Sequence, residues 1–367
     1  MGFKCGIIGL PNVGKSTLFN ALTRTAAAQA ENYPFCTIEP NSGEVAVPDP
    51  RLHALSQIAK SKDLIPAYMS FVDIAGIVRG ASKGEGLGNQ FLANIREADA
   101  IVHVLRCFED ENIIHVEDRV NPLRDIEIIE MELMLSDLER LERSCEQNKK
   151  HKNHKSEEAS LMQSIVSASI RLIEEGKSVR TLFKSLDSDS IRILKSLNLL
   201  TSKPVLYVCN VAEGDCITGN IHTEAVKKLA AQQDTEVIII SAAIEAEIAQ
   251  LAEEERSIFM KDLGISLPGL ESLIRSGYRL LDLITYFTVG PKETHAWTIP
   301  RGINAQQAAG VIHSDFERGF IRALTISYED YITMGGESGA KAAGKARDEG
   351  KDYIVKDGDI MHFRFNV

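Results

Sequence analysis

Short apolar runs punctuate the chain. Phe3 to Ile8, Tyr68 to Val72, Ala100 to Leu105, Pro204 to Cys209 and Val237 to Ile240 are rich in Val and Ile, and helical stretches separate them. Buried strands alternating with helices predict a mostly parallel sheet with right-handed crossovers. Gly43 to Pro48 adds a strand beside it. The α/β pattern is interrupted between the third and fourth runs. There Asp125 to Gln147 places Ile126, Ile129, Leu133, Leu138, Leu141 and Cys145 near one helical face. A second segment sets Leu161, Ile165, Ala168 and Leu172 at helical spacing, and Gly176 ends it. The two read as an antiparallel helical hairpin inserted in the domain, since an ordinary crossover needs far fewer residues.

From about Leu283 the pattern changes again. Trp297 to Pro300, Phe320 to Ile326 and Tyr353 to Val355 read as strands, and Gln306 to His313 and Gly339 to Arg347 as helices. Asp357-Gly358 is a turn between strands. The expected partition is 1–124 with 203–282 for the α/β domain, 125–202 for the helical insertion and 283–367 for a small α+β module.

Composition narrows the function classes. A net charge of −11 argues against a general polyanion binder, so nucleic-acid contact needs local basic patches. The densest runs from Lys149 through Lys150, His151, Lys152 and His154 to Lys155, between the two insertion helices; Lys341, Lys345, Arg347 and Lys351 form a more dilute one. Six scattered cysteines without a CxxC pair speak against a zinc site or disulfide framework and for a reducing, cytoplasmic setting. No apolar run approaches the ~20 residues of a membrane span, no leader segment is expected, and a monomer is the expected state.

The chemistry begins directly after the first strand. Gly9 to Thr17 reads GLPNVGKST, the Walker A pattern, and opens a helix. Its glycines let successive N–H groups, including those of Asn12, Val13 and Gly14, face phosphates. Lys15 is placed to bridge the β- and γ-phosphates, Ser16 to ligate Mg²⁺, and Thr17 follows in the first helical turn. Asp73 to Gly76 ends the second core strand with a carboxylate for the metal's water shell and an N–H for the γ-phosphate. Thr37, between the first helix and the next strand, is the candidate to complete the metal shell. Asn210, Val211 and Glu213 follow the fourth core strand, where GTPases carry Asn-Lys-x-Asp. With Val211 for the lysine and Glu213 one methylene too long, guanine recognition should suffer and ATP should be preferred. Ser241 and Ala242 belong to the loop closing the base side.

These motifs, with Asn32 to Asn41, Gly84 to Asn89, Ala296 to Ile299 and Ile312 to Ile321, resemble the YchF or Obg-like ATPase family along essentially the whole chain. The resemblance implies an Obg-branch P-loop NTPase with a C-terminal ubiquitin-like β-grasp (TGS) domain, Mg²⁺-dependent ATP hydrolysis and association with ribosomes. It identifies Asn12 with the asparagine that helps hold activating K⁺ in cation-dependent relatives. Ile77 stands where Ras-like enzymes place the glutamine that orients water, so His115, a macromolecular partner or a monovalent cation must do so. Two other readings stay open: a ribosome- or RNA-binding module with structural ATP, and a conventional GTPase.

Overall fold

The computed structural model describes residues 3–30, 38–39, 41–74, 76, 87–113, 116, 119–150 and 157–366. Thr37, Ile77, His115 and positions 151–155 of the basic run lie outside them. The strands are β1 (Lys4–Ile8), β2 (Ile38–Glu39), β3 (Ser42–Ala46), β4 (Asp63–Ile65) and β5 (Tyr68–Asp73). There follow β6 (Ala100–Arg106), β7 (Val205–Asn210), β8 (Val237–Ile240), β9 (Leu283–Val289) and β10 (Glu293–Pro300). The last are β11 (Phe320–Ile326), β12 (Arg347–Glu349) and β13 (Ile360–Phe365). By packing, the chain divides into two compact units.

The first unit comprises Lys4–Ala21 and Phe71–Leu270. Strands β1, β6, β7 and β8 are neighbours in that order and parallel. Ile74 N–H donates to Ile7 O at 3.1 Å, holding the end of β5 alongside β1. Every residue of β6 and β7 is buried, as expected of strands covered on both faces. The insertion is built on helices Pro122–Lys150 and Glu157–Glu174. Leu138 and Leu141 of the first and Leu161, Ile165 and Ile173 of the second share one core. A third helix, Ser188–Ser196, completes that core through Ile193 and Leu194. The sequence pattern did not resolve it as an element, because nine residues carry too few turns for a clear period. Gly176 (φ +71°) ends the second helix, its N–H bonding Ile173 O.

The second unit comprises Met1–Phe3, Leu22–Ser70 and Glu271–Val367. Its sheet has the order β12-β11-β13-β9-β10-β4, with β9 and β10 an antiparallel hairpin and β13 parallel to β9. Ile284, Tyr286, Ile299, Ala308 and Phe363 centre its core. Two expectations are corrected. Tyr353 to Val355 makes only an isolated bridge, Asn304 to Ile354, because the Asp-Gly turn at Gly358 (φ +87°) delays regular pairing until β13. The helix expected over Gly339 to Arg347 is Glu337–Ala342; Gly344 (φ +69°) breaks it and Arg347 enters β12. The edge strand β4 comes from far upstream and pairs parallel with β10. Helix Pro50–Ala59, which precedes β4, places Arg51 between Asp49 and Asp357, 2.7 Å from each, with its guanidinium over the Phe287 ring. No helix among the described residues is long and apolar enough to cross a membrane.

Candidate nucleotide site

Cys5, Ile7 and Ile8 fix β1 in the core, and the chain turns through Gly9 to Gly14 into helix Lys15–Ala30. Positive φ at Asn12 (62°) and Gly14 (96°) bends the loop so that its N–H groups converge. The helix opens with Leu18 N–H on Gly14 O at 3.0 Å. Gly14 allows no side chain, since a Cβ there would stand 2.2 Å from Asn210 Nδ2. Lys15 is buried, and its ammonium donates to Leu10 O at 2.8 Å across the loop. Burial, opposed by Asp73, lowers its pKa to about 8. A phosphate would supply the missing counter-charge.

Ser16 and Asp73 meet beside this lysine: Ser16 Oγ donates to Asp73 Oδ2 at 2.9 Å. Gly76 closes the same corner, for a Cβ on it would lie 3.1 Å from both Lys15 Nζ and Pro11 N. Walker A and the end of β5 thus meet through Ser16 and Asp73, 57 residues apart in the chain. A hydroxyl and a carboxylate are hard oxygen donors, and among the described residues no group of three or more His, Cys, Asp or Glu could chelate a metal by itself. That donor set suits Mg²⁺, which keeps several waters and phosphate oxygens in its shell.

On the base side, the Asn210 side chain is a tie rather than a free reader. Its Nδ2 donates to Val13 O at 2.9 Å, and its Oδ1 accepts from Ala242 N–H at 3.0 Å. It thereby holds the phosphate loop against the turn after β8. Val211 is buried, whereas Glu213 is exposed at the start of a 3₁₀ turn. Ser241 Oγ is buried and has no hydrogen-bond partner among the described residues. Thr17 is exposed in the first turn of its helix, and Val13 is packed inside.

Sequence reasoning missed two supports. Glu245, buried in helix Ala242–Ile248, accepts from Gly269 N–H at 2.7 Å and Leu270 N–H at 3.3 Å, securing the start of helix Gly269–Leu280. Burial raises its pKa against those two N–H groups. Arg106, buried at the end of β6, donates to the carbonyls of Phe108, Asp110 and Ile113 and lies over the Phe108 ring. It shapes the loop leading towards His115. A charged residue closing a strand that is apolar but for His103 was the available signal.

A phosphate loop between a buried parallel strand and a helix, with Ser16 and Asp73 joined beside Lys15, defines a P-loop NTPase G domain. A family model described as a 50S ribosome-binding GTPase matches residues 4–137. The C-terminal domain model of YchF GTPases, described as a protein of unknown function, matches residues 283–366. The chain is 55% identical to the ribosome-binding ATPase YchF of Haemophilus influenzae and 50% identical to that of Bacillus subtilis, covering all of both chains in each case. It is also similar to the solved Schizosaccharomyces pombe YchF GTPase, at 39% identity and a TM-score of 0.88, covering 99% of this chain and 98% of that one. The chain belongs to the YchF family.

Proposed function

We propose that this chain is a cytoplasmic, monomeric, Mg²⁺-dependent ATPase whose nucleotide state controls binding to the ribosome. The observation that carries the reading is the convergence of Lys15, Ser16, Asp73 and Gly76 at one corner. Lys15 stabilises charge on the transferring phosphoryl group, and the loop and helix N–H groups orient the β- and γ-phosphates. Ser16 and Thr37 would hold Mg²⁺, with Asp73 bonded to its water shell. The bound ion neutralises phosphate charge and fixes the geometry of the nucleotide. His115 holds the attacking water in place of the residue that Ile77 cannot supply, and K⁺, held with Asn12, raises turnover.

ATP is favoured over GTP because the base-side loop has lost the paired guanine contacts. Val211 is buried and apolar, Glu213 is displaced towards solvent, and the Asn210 amide is committed to Val13 and Ala242. The relatives differ on this point, the bacterial proteins being named ATPases and the Schizosaccharomyces pombe protein a GTPase. In the proposed partition, 1–124 with 203–282 form an Obg-type G domain, 125–202 the hairpin and 283–367 a TGS module. The hairpin's basic run and the TGS module reach ribosomal RNA. Two measurements decide the reading. Titration calorimetry should give tighter ADP than GDP binding; the reverse order makes this a conventional GTPase. Single-turnover hydrolysis should be slow alone and faster with ribosomes; ribosome binding without any hydrolysis makes ATP structural.

A further inference from the structure

Helices Leu87–Glu97 and Pro122–Lys150 border, with the turn around Ser196 to Leu199, a half-open cavity of ≈ 490 Å³. None of the residues lining it belongs to the phosphate loop, the Asp73–Gly76 turn or the base-side loop. Ser136, Arg140 and Arg143 are four and three residues apart, so one face of the longer helix presents all three. Leu92 and Arg96, four apart on the shorter helix, line the cavity from the other side. Ala93 and Leu197 add accessible apolar surface, with Leu141 and Leu199 buried beneath them.

Three guanidinium groups therefore share one concavity with a single lining carboxylate, Glu139, and the basic groups are in excess. Arg96 donates to Ser136 Oγ at 2.8 Å and Asn198 O at 3.2 Å. The carboxylate of Asp137 stands back at 3.6 Å, because its oxygens already accept from Leu200 N–H, Thr201 N–H and the Thr201 hydroxyl. Arg143 is paired with Glu139 at 3.1 Å. Among the described residues no ion pair engages Arg140. Burial, opposed by Asp137 and reinforced by the charges of Arg140 and Arg143, lowers the Arg96 pKa from its ordinary value. Gathering like charges in this way destabilises the empty cavity. A planar fork of donors is matched to phosphate oxygens, and the volume lies in the range of small-ligand sites.

We propose that this cavity binds a small phosphate monoester of nucleoside-monophosphate size, its phosphate held by Arg140, Arg143 and Arg96 and its ring body resting on Ala93 and Leu197. The ligand would tie the helix that follows the Asp73–Gly76 turn to the helical insertion. The site is separate from ATP hydrolysis chemistry and does not depend on which nucleotide the cradle prefers.

The test fills the cradle of the full chain with saturating ADP and Mg²⁺, then titrates AMP by calorimetry. One further AMP should bind per chain. The double variant Arg140→Gln, Arg143→Gln should weaken it at least about tenfold, as loss of charge-assisted contacts does. The same variant should leave ADP affinity and thermal unfolding unchanged, both side chains being exposed on their helix. Arg140→Glu alone should weaken AMP further than Arg140→Gln. Absence of AMP binding to the ADP-saturated chain, or equal AMP binding by wild type and the double variant, overturns the proposal. A short oligoribonucleotide that binds with the same arginine dependence while AMP does not would assign the arginines to an RNA-contacting surface and overturn it equally.

Discussion

The phosphate end and the base end of the nucleotide cradle are built on opposite plans. At the phosphate end, functional groups face one another across open chemistry: a buried ammonium bonded, among the described residues, to a backbone carbonyl, a hydroxyl on a carboxylate, and a glycine pressed against both loop and lysine. At the base end, the Asn210 side chain is already satisfied on both sides, Val211 is buried and apolar, Glu213 is turned to solvent, and Ser241 Oγ is the buried polar atom without a partner among the described residues. The first end is poised to be completed by a ligand, whereas the second is a frame. One consequence is that substitutions at the phosphate end should change rate, and those at the base end should change stability or choice.

The sharpest way to break that contrast is Lys15→Ala. It should lower single-turnover hydrolysis by roughly a thousandfold or more, because charge on the transferring group loses its partner. Near-normal turnover would move the chemistry elsewhere. Asn210→Ala comes next. Leaving the Val13 carbonyl and the Ala242 N–H without their partner should destabilise the fold by about 2–4 kcal/mol in urea titration and weaken ATP and GTP alike. A selective loss of one nucleotide would make Asn210 a reader rather than a tie.

A smaller effect is expected from Val211→Lys with Glu213→Asp, which should move the ATP-to-GTP affinity ratio about tenfold towards GTP, at some cost in stability because Val211 is buried. An unchanged ratio would place base selection outside this loop. The smallest concerns pH. Because the Lys15 pKa is lowered to about 8 and a phosphate would raise it, nucleotide binding takes up a proton above that value. ADP affinity should be flat below neutrality and fall about fourfold between pH 7 and 8.5. In the nucleotide-free protein the sign is opposite. The folded chain binds fewer protons than the unfolded one between about pH 8 and the ordinary lysine value of 10.5, so stability rises with pH through that window. Affinity independent of pH would show the ammonium to be solvated.

Much of the α/β unit was legible because its strands are short, apolar and covered on both faces, so hydrophobic runs mark them directly. The phosphate end was legible because Walker A depends on backbone geometry that only a few residue types permit. The base end was half legible. The departure at Val211 and Glu213 could be read, but the double bond of Asn210 to Val13 and Ala242 arises from residues 197 and 32 positions away. Glu245 and Arg106 stayed hidden for the same reason, since their partners are backbone groups that carry no signature. In the second unit the strands β12 and β4 have three residues each, too few to show a period.

The placement of β4 has a consequence in time. It pairs with β10, and the neighbouring bond from Ser61 Oγ to Gly290 O spans 229 residues of chain. At a synthesis rate of roughly 5–20 residues per second, that edge strand emerges on the order of ten to fifty seconds before its partner exists. Throughout that interval Asp63–Ile65 and the helix before it have no sheet to join. The second unit is therefore a structure that its own translation must finish, and shortening the chain from the C-terminal end removes the docking place of a segment made near the start.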